Sequence, residues 1–284
     1  MPKCIICNNN NKFNKKFEIL TQCMDCKHIF ADLNLDHTKI KQVYSNDYFF
    51  GNEYINYIND RKQIEKNASN RIKIIKKHTK NIINKNLYEV GCAYGFFLNS
   101  IKTYFNKVSG IDINEEAVNY AKNILKLDVE EGDLISKKNI DIKNYNIFCM
   151  FDVIEHLANP DNYIKNIASK SKGETFLYIT TGDIDSLNAK IRGKNWRLIH
   201  PPSHVHYFSK KTIKLILEKN GFKVISIQYC GYYRNFLTIL SKINFIKKYF
   251  NFLIKLFVYF KLSNLDIYLN LYDIMFVVAK KDSE

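Results

Sequence analysis

Four cysteines near the start of the chain have the spacing of metal ligands. Cys4 and Cys7 form one C-x-x-C pair, and Cys23 and Cys26 form a second pair after fifteen intervening residues. Each pair can place two thiolates on one side of a turn, and two such turns complete a closed tetrahedral site, which is typical of structural zinc. Two disulfides or a chance grouping are the alternatives, but no secretion signal is apparent and four of the 7 cysteines fall within the first 26 residues. We expect His28 to be a neighbour of this site, because four thiolates already complete it.

A glycine turn in residues 87–95 has the composition of a small-molecule cradle. The stretch combines a short apolar run with Gly91 and Gly95, and a helix is predicted to follow. Glycines permit positive φ and leave no Cβ between the backbone and a ligand, while the start of a helix presents unpaired N–H groups. A dinucleotide site requires G-x-G-x-x-G, but Ala93 and Phe96 stand where its second and third glycines would be. The pattern therefore disfavours a pyrophosphate site.

Acidic residues follow the glycine turn at intervals that suit a nucleoside. Asp112 lies 21 residues beyond Gly91 (112 − 91 = 21), at the end of the next apolar segment. An acidic residue at the tip of a second strand can accept hydrogen bonds from both ribose hydroxyls. Asp133 and Asp152 stand at the ends of the two apolar segments that come next.

Three histidines are candidates for a general base, namely His156, His204 and His206. Their side chains titrate near neutral pH, and the last two, being two residues apart, would share one face of an extended segment. Each could equally be a hydrogen-bonded structural histidine. As a metal site the three lack a characteristic ligand spacing.

Strands that alternate with helices must position these residues. Helices are predicted over residues 57–80, 96–104, 115–124, 161–170 and 211–220, the last capped by Ser209 and ended by Gly221. The order implies an α/β fold with a parallel, doubly wound sheet, in which ligands bind at the carboxyl ends of the strands. The predicted strands are residues 87–90, 108–111, 129–133, 146–151, 175–180, 222–229 and 273–279.

A run that reads D-V-I-E-H-L-x-x-P, from Asp152 to Pro160, completes the set of motifs. Together with the glycine turn, Asp112 and Asp133, it resembles the class I S-adenosylmethionine (SAM) methyltransferases in order and interval. The resemblance implies a Rossmann-like, seven-stranded methyltransferase sheet, SAM as the cofactor and methyl transfer as the reaction. It implies these cofactor contacts: Glu89, Gly91, Cys92, Ala93, Gly95, Asp112, Ile113, Asp133, Leu134 and Phe151.

The base is expected on the acceptor side, which in this family is the loop after the fifth strand. We therefore place it on His204 or His206 ahead of His156. A carboxylate such as Asp183 is one alternative. Transfer driven by positioning alone is the other, because a sulfonium methyl carbon is already electrophilic.

The segment after the cysteine pairs carries a second resemblance. Bacterial methyltransferases that act on sugars, lipid-linked glycans and secondary metabolites often have a zinc ribbon, a "Y…YF" segment and a lead-in helix, in that order. Here Tyr44, Tyr48 and Phe49 form the middle part. The last two could cover the cofactor as a lid or serve packing. The implied domains are a zinc ribbon (1–30), a connecting segment with the lead-in helix (31–80) and a methyltransferase domain (81–284).

Composition fits one α/β domain with additions, since the chain has 284 residues of which 46% are hydrophobic. The formal charge of +15 suits nucleic acid, an anionic membrane or an acidic substrate, or reflects an abundance of lysine throughout. Because the basic residues are spread rather than clustered with stacking aromatics, nucleic acid is disfavoured. No uncharged apolar run reaches 18 residues, so we expect a cytoplasmic protein.

An insert, residues 232–272, separates the last two predicted strands. It is aromatic and aliphatic, is interrupted by lysines, and is predicted to be helical, with a wide apolar face opposite a narrow polar one. Its six basic residues and one acidic residue give it a local charge of +5. A lid or dimer surface, a helix lying in the plane of the inner membrane face, and an RNA surface are the competing interpretations.

The sequence thus predicts a SAM-dependent methyltransferase with a structural zinc ribbon. Among candidate acceptors, we expect first an oxygen of a sugar or glycan precursor. A quinone or lipid-like acceptor at the membrane surface is the alternative within enzymes. An RNA-binding protein that uses the ribbon and the basic surface is the alternative from another class, and it would show steeply salt-dependent binding.

Overall fold

Alternating strands and helices form the part of the chain that the computed structural model describes, which is residues 3–33, 57–137, 140–241 and 265–282. Helices α1 to α7 span Arg61–His78, Phe96–Ile101, Glu115–Asn123, Pro160–Lys170, Leu187–Arg192, Lys210–Lys219 and Phe236–Ser241. Strands β1 to β7 span Phe13–Lys16, Leu20–Cys23, Ile29–Phe30, Asn86–Val90, Lys107–Asp112, Asp128–Glu131 and Ile147–Phe151. Strands β8 to β13 span Thr175–Gly182, His206–Tyr207, Lys223–Tyr229, Tyr232–Asn235, Asp266–Leu269 and Ile274–Lys281. The proposed lid residues Tyr48 and Phe49 lie outside these ranges.

A seven-stranded sheet in the order β10-β13-β8-β7-β4-β5-β6 forms the centre. The strands from β8 to β6 run parallel, whereas β13 pairs antiparallel with both β8 and β10 at one edge. In β4, Val90 is level with Ile111 of β5, and Glu89 is level with Cys149 of β7. The carboxyl ends of these three strands therefore meet at one edge. The predicted seven-stranded, doubly wound class is confirmed.

Helices cover both faces of this sheet, which explains the continuous apolar runs in β7 and β8. On one face α1, α2 and α3 bury an apolar side that includes Ile72, Ile75 and Leu98. On the other face α4 and α6 bury side chains such as Ile164 and Ile213. Burial of these large side chains stabilises each helix against the sheet, at roughly 1.5 to 3 kcal/mol per side chain.

Local signals set the ends of α6 as predicted. The Ser209 hydroxyl accepts a hydrogen bond from the Thr212 amide, and the Thr212 hydroxyl accepts one from the Ser209 amide, which makes a capping box. Gly221 follows the helix with φ +82°, a conformation that other residues rarely adopt.

The N-terminal ribbon is a four-stranded sheet in the order β1-β2-β3-β9. Its fourth strand comes from the loop after β8, because Phe30 pairs with His206 and Ile29 pairs with Tyr207. Cys4 and Cys26 also pack into the apolar cluster between α4, α6 and the sheet. The ribbon predicted as residues 1–30 is therefore completed by a strand from far along the chain.

The prediction of a helical insert over residues 232–272 is wrong at both ends of the segment. β11 and β12 form an antiparallel ribbon, and within the described part of the insert only α7 is helical. This β11–β12 pair is held on α1. The Asn67 side chain accepts a hydrogen bond from the Tyr233 amide at 2.7 Å and donates one to the Tyr233 carbonyl at 3.3 Å. Gln63 and Lys66 hold Asp266 of β12. These backbone and carboxylate contacts favour extended chain over helix there.

Within the described ranges, no helix is both long enough and apolar enough to cross a membrane.

Candidate active site

A cavity of about 670 Å³ opens at the carboxyl ends of β4, β5, β6 and β7. Every predicted cofactor residue except Gly95 lines it, although these residues come from separate strand ends along the chain. The lining members of the predicted set are Glu89, Gly91, Cys92, Ala93, Asp112, Ile113, Asp133, Leu134 and Phe151. The volume is within the range of small-molecule sites.

The glycine turn after β4 allows the backbone to approach the cavity closely. Gly91 has φ +74°, and a Cβ there would lie 2.4 Å from Cγ2 of Val153, so no larger residue fits without displacement. Gly95 has φ +73° and begins α2 rather than lining the cavity. A Cβ at Gly95 would meet Leu127 at 2.6 Å. The two predicted glycines thus have different positions, one in the cavity wall and one in helix packing.

Asp112 is held by backbone amides at the end of β5. Its Oδ2 accepts a hydrogen bond from the Ala93 amide at 2.7 Å and its Oδ1 accepts one from the Asn114 amide at 2.9 Å. Burial raises the pKa of Asp112, and these amide bonds oppose the rise. Each carboxylate oxygen has a second lone pair, so the group can still accept hydroxyl donors from the cavity.

Glu89 brings a carboxyl group with an unused oxygen to the cavity. The residue is 4% exposed, and its Oε2 has no hydrogen-bond partner among the residues that the structure describes. Burial raises the pKa of Glu89 to about 8, while the positive charge of Arg71 opposes the rise. An unpaired buried carboxyl oxygen is costly for a protein to keep, which indicates that a ligand with a donor or a positive charge fits here.

Asp133 organises the loop after β6. Its Oδ1 accepts hydrogen bonds from the amides of Ile135 and Ser136, at 2.8 and 2.9 Å. This side-chain turn keeps Asp133 and Leu134 in the cavity wall, where the sequence places them.

The opposite end of the cavity contains a network that the sequence did not reveal. Asp152 has φ +58°, a strained value for this residue, and its carboxylate accepts from Thr180 Oγ1 at 2.9 Å, the Tyr232 hydroxyl at 2.9 and 3.0 Å and Arg71 Nη2 at 3.3 Å. The Arg71 guanidinium also lies 4.1 Å from the centroid of the Phe151 ring.

One signal in the sequence could have identified Arg71 as a residue of this network. It lies on the apolar side of α1, three residues after Ala68 and four before Ile75, both of which are fully buried. A lone arginine on a face that packs on the sheet requires a charged partner, which here is Asp152. For Tyr232 we find no such signal.

Of the three predicted base candidates, only His156 lines the cavity. His204 and His206 are 7% and 4% exposed and lie behind the wall. His206 is sandwiched between the ribbon and the domain, with Nδ1 3.2 Å from His28 Nε2 and Nε2 3.3 Å from the Ala158 carbonyl. The structure thus brings to the cavity the candidate that the sequence ranked last, His156.

Burial lowers the pKa of all three histidines, to about 4 for His156 and His206 and well below the usual range for His204. Hydrogen bonds from His156 to the backbone of Ser203 and Asp152 partly oppose the change. At neutral pH the three imidazoles are therefore uncharged.

The four N-terminal cysteines form a cluster, with Sγ atoms within 4.8 Å of one another. The two turns share one geometry, because the Asn8 amide donates to the Cys4 carbonyl and the Lys27 amide donates to the Cys23 carbonyl, and both donors have positive φ. A hydrogen bond with Cys26 lowers the pKa of Cys4. The thiol donor set suits a closed four-sulfur zinc site.

Comparison with known proteins places this site in a family. A family model described as a methyltransferase domain matches residues 60–227, which is more than half of the chain. The chain belongs to the methyltransferase family. The matched segment runs from α1 to β10 and includes every residue predicted to contact the cofactor.

Curated relatives cover a shorter part of the chain. The ubiquinone biosynthesis O-methyltransferase of Coxiella burnetii (strain RSA 493 / Nine Mile phase I) is 24% identical over 104 residues, which is 34% of this chain and 43% of that protein. The same protein from strain RSA 331 / Henzerling II gives the same values. The chain thus spans less than half the length of the curated relatives it matches.

Solved structures share the fold at low identity. Magnesium protoporphyrin IX methyltransferase from Synechocystis PCC 6803, with bound SAH, has a TM-score of 0.55 at 14% identity, over 87% of this methyltransferase and 100% of that chain. A SAM-dependent methyltransferase from Archaeoglobus fulgidus has a TM-score of 0.54 at 22% identity, over 79% and 99%. The prediction of a class I SAM-dependent methyltransferase is confirmed by the family match and the shared fold.

Proposed function

We propose that this methyltransferase transfers a methyl group from SAM to an oxygen of a small-molecule acceptor, with a sugar or glycan precursor as the first candidate. The observation that carries the cofactor assignment is the convergence of three features in one cavity. These are the unpaired carboxyl oxygen of Glu89, the close backbone approach at Gly91 and the amide-held carboxylate of Asp112. When bound there, SAM supplies a methyl group on a positively charged sulfur.

Each of these residues fits one part of that cofactor. Asp112 would accept hydrogen bonds from the ribose hydroxyls, and Asp133, with Leu134, would face the adenine. The Glu89 carboxyl would accept from the ammonium group, which favours its ionised form and offsets the cost of its burial. At Gly91 the backbone would contact the methionine part without an intervening side chain.

The acceptor end of the cavity is polar, which supports an acceptor rich in hydroxyl groups. Asn67, Arg71, Tyr232 and Arg234 line this end and offer both donors and acceptors. A long apolar tail would displace water from these groups and offer them no hydrogen bond in return. Arg234, which the sequence assigned to the basic surface of the insert, thus belongs to the cavity.

Proton removal falls to groups that touch the cavity. His156 and Asp152 both line it, whereas His204 and His206 do not. A buried imidazole with a pKa near 4 is a weak base at neutral pH. We therefore assign the larger part of the rate to alignment of the acceptor oxygen with the methyl group, which can contribute roughly 7 to 11 kcal/mol.

Structural zinc in the ribbon is the second part of the proposal. The four thiols, two matched turns and a ribbon too small to bury a large core of its own support a metal that stabilises this segment.

A quinone-type phenol is the second candidate acceptor. It is favoured by the similarity to the Coxiella burnetii relatives, which are ubiquinone biosynthesis O-methyltransferases. Contact of residues 232–272 with anionic lipid would accompany such an acceptor, and flotation with anionic vesicles at low salt tests it. If the protein stays in the aqueous fraction, the lid or dimer interpretation of residues 232–272 is the one that remains.

The deciding experiment is mass analysis of ligands that copurify, followed by methyl transfer from labelled SAM to sugar nucleotides and, separately, to catechol-type phenols. We expect transfer to the first group. Arg234→Gln should raise the KM for that acceptor, while the matched surface variant Arg192→Gln should not. Transfer only to phenols would select the quinone candidate. Absence of SAM binding, with tight and salt-dependent RNA binding, would reject the enzyme.

A further inference from the structure

A second group of possible metal ligands lies in the wall behind the acceptor end of the cavity. Glu155 and His156 stand on the short 3₁₀ turn Ile154–His156 after β7, and His204 reaches them from the loop before β9. One ligand atom from each lies within 4.8 Å of the others. The Val205 amide donates to the Glu155 carbonyl at 2.9 Å, which fixes the loop against the turn.

The hydrogen bonds of both imidazoles resemble those of metal ligands. Nδ1 of His156 lies 2.8 Å from the Ser203 carbonyl, and Nδ1 of His204 lies 2.9 Å from the Leu198 carbonyl. A carbonyl can only accept, so in the neutral His204 ring Nδ1 carries the proton and Nε2 carries the lone pair. Metal-bound histidines are usually oriented by such a bond from the other ring nitrogen.

The carboxyl group of Glu155 lacks the partners that its burial requires. It is 4% exposed, and its Oε2 has no hydrogen-bond partner within the described ranges. A buried carboxyl oxygen without a hydrogen-bond partner is costly to keep, and a cation held between it and the two imidazoles would offset that cost.

We infer that Glu155, His156 and His204 form a site for a divalent transition-metal ion, with zinc as the first candidate. Two imidazoles and one carboxylate are a ligand set that zinc and iron both accept, and such sets keep positions open for water or substrate. Ligand atoms around one tetrahedral zinc are roughly 3.3 Å apart, so small side-chain rotations would close the present arrangement.

This site differs from the cysteine cluster in ligand chemistry and in position. The cysteine cluster is closed by four thiolates, whereas the proposed site uses nitrogen and oxygen and borders the cavity through His156. If the proposed function holds, an ion there would face the acceptor oxygen and lower its proton affinity. Metal binding itself does not depend on that function, so the two can fail separately.

Cobalt titration of the metal-free full-length protein tests the inference, because Co²⁺ reports its ligands by absorption. We expect two equivalents to bind. One should show thiolate-to-metal charge transfer from the ribbon. The other should lack it and show only the weak bands of nitrogen and oxygen ligands.

Variants assign the second equivalent. Glu155→Gln and His204→Gln should each lower its affinity at least tenfold, a reduction of the size seen when ligands or their supports are lost. His78→Gln, a half-buried histidine at the end of α1, is the matched control and should keep both equivalents. The charge-transfer band and SAM binding by calorimetry report whether each variant is folded.

Wild-type protein that binds one equivalent, all of it at thiolates, would overturn the inference. So would retention of the second equivalent in folded His204→Gln. If a variant fails to fold, the wild-type stoichiometry and X-ray absorption of the second ion decide alone, since a site with sulfur ligands would also contradict the proposal.

Discussion

Glu89→Gln should stabilise the cofactor-free protein against unfolding and should weaken its binding of SAM. The substitution keeps the shape of the side chain but removes its ionisation. Burial raises the pKa of the Glu89 carboxyl from 4.5 to about 8. Ionisation of this carboxyl therefore costs free energy in the folded protein but not in the unfolded chain. The same carboxyl has an unpaired oxygen at the cavity, where the proposed cofactor supplies a positive charge.

The size of the effect follows from the two pKa values. Between pH 4.5 and 8 the folded protein holds a proton that the unfolded chain has released, so the stability contribution is present at low pH and is lost as pH rises. Each pH unit changes the free energy of unfolding by about 1.4 kcal/mol. Over the 3.5 units between the values (8 − 4.5), the loss reaches at most about 5 kcal/mol.

Urea unfolding at several pH values, without SAM, measures this difference. The stability of Glu89→Gln minus that of wild type should rise with pH and level off near pH 8, because other titrating groups cancel between the two proteins. Glu65→Gln, at a surface carboxylate paired with Arg61, is the control and should show little slope. A Glu89→Gln difference that does not change with pH would refute the reasoning. Calorimetry should also find weaker SAM binding in Glu89→Gln.

Three further predictions concern other parts of the molecule. Cys23→Ser should lose about one zinc per chain by metal analysis, while Cys230→Ser keeps it; equal zinc in both would contradict the ribbon site. Asp112→Ala should weaken SAM binding by roughly 1.5 to 3 kcal/mol in calorimetry without unfolding the protein, and unchanged affinity would move the ribose contact elsewhere. His206→Gln should lower the melting temperature, because it loses contacts with His28 and Ala158, yet SAM affinity should stay near wild type. A large loss of SAM affinity in a folded His206→Gln protein would contradict this prediction and indicate that His206 affects the cofactor site.

The sequence predicted the sheet and the cofactor end of the cavity because both depend on local signals. A strand that ends at Val90, a glycine with positive φ and an acidic residue at the next strand end occupy adjacent positions in any parallel sheet with this strand order. Gly95 shows the limit of this reasoning. It matches the motif, but its lack of a side chain serves contact with Leu127 and the start of α2.

The acceptor end could not be predicted in the same way, because its residues are brought together by contacts between distant segments. Arg71 from α1, Asp152 after β7 and Tyr232 from β11 meet only when the β11–β12 ribbon packs on α1. The apolar pattern of the insert suggested helix. Side chains of α1 that bond to the backbone and to Asp266 instead hold its ends extended.

The histidines show most clearly why spacing alone is insufficient. His204 and His206 are two residues apart and were expected to share a face, but β9 pairs His206 with Phe30 of β3, whereas His204 lies before this strand. His206 is thereby buried against the ribbon. His204 instead lies 4.5 Å, centroid to centroid, from the ring of His156, beside a carboxyl group that no spacing rule had associated with it. The pairing of β9 with β3, which holds His206 away from the cavity, thus belongs to the same packing that brings Glu155, His156 and His204 together at the cavity wall.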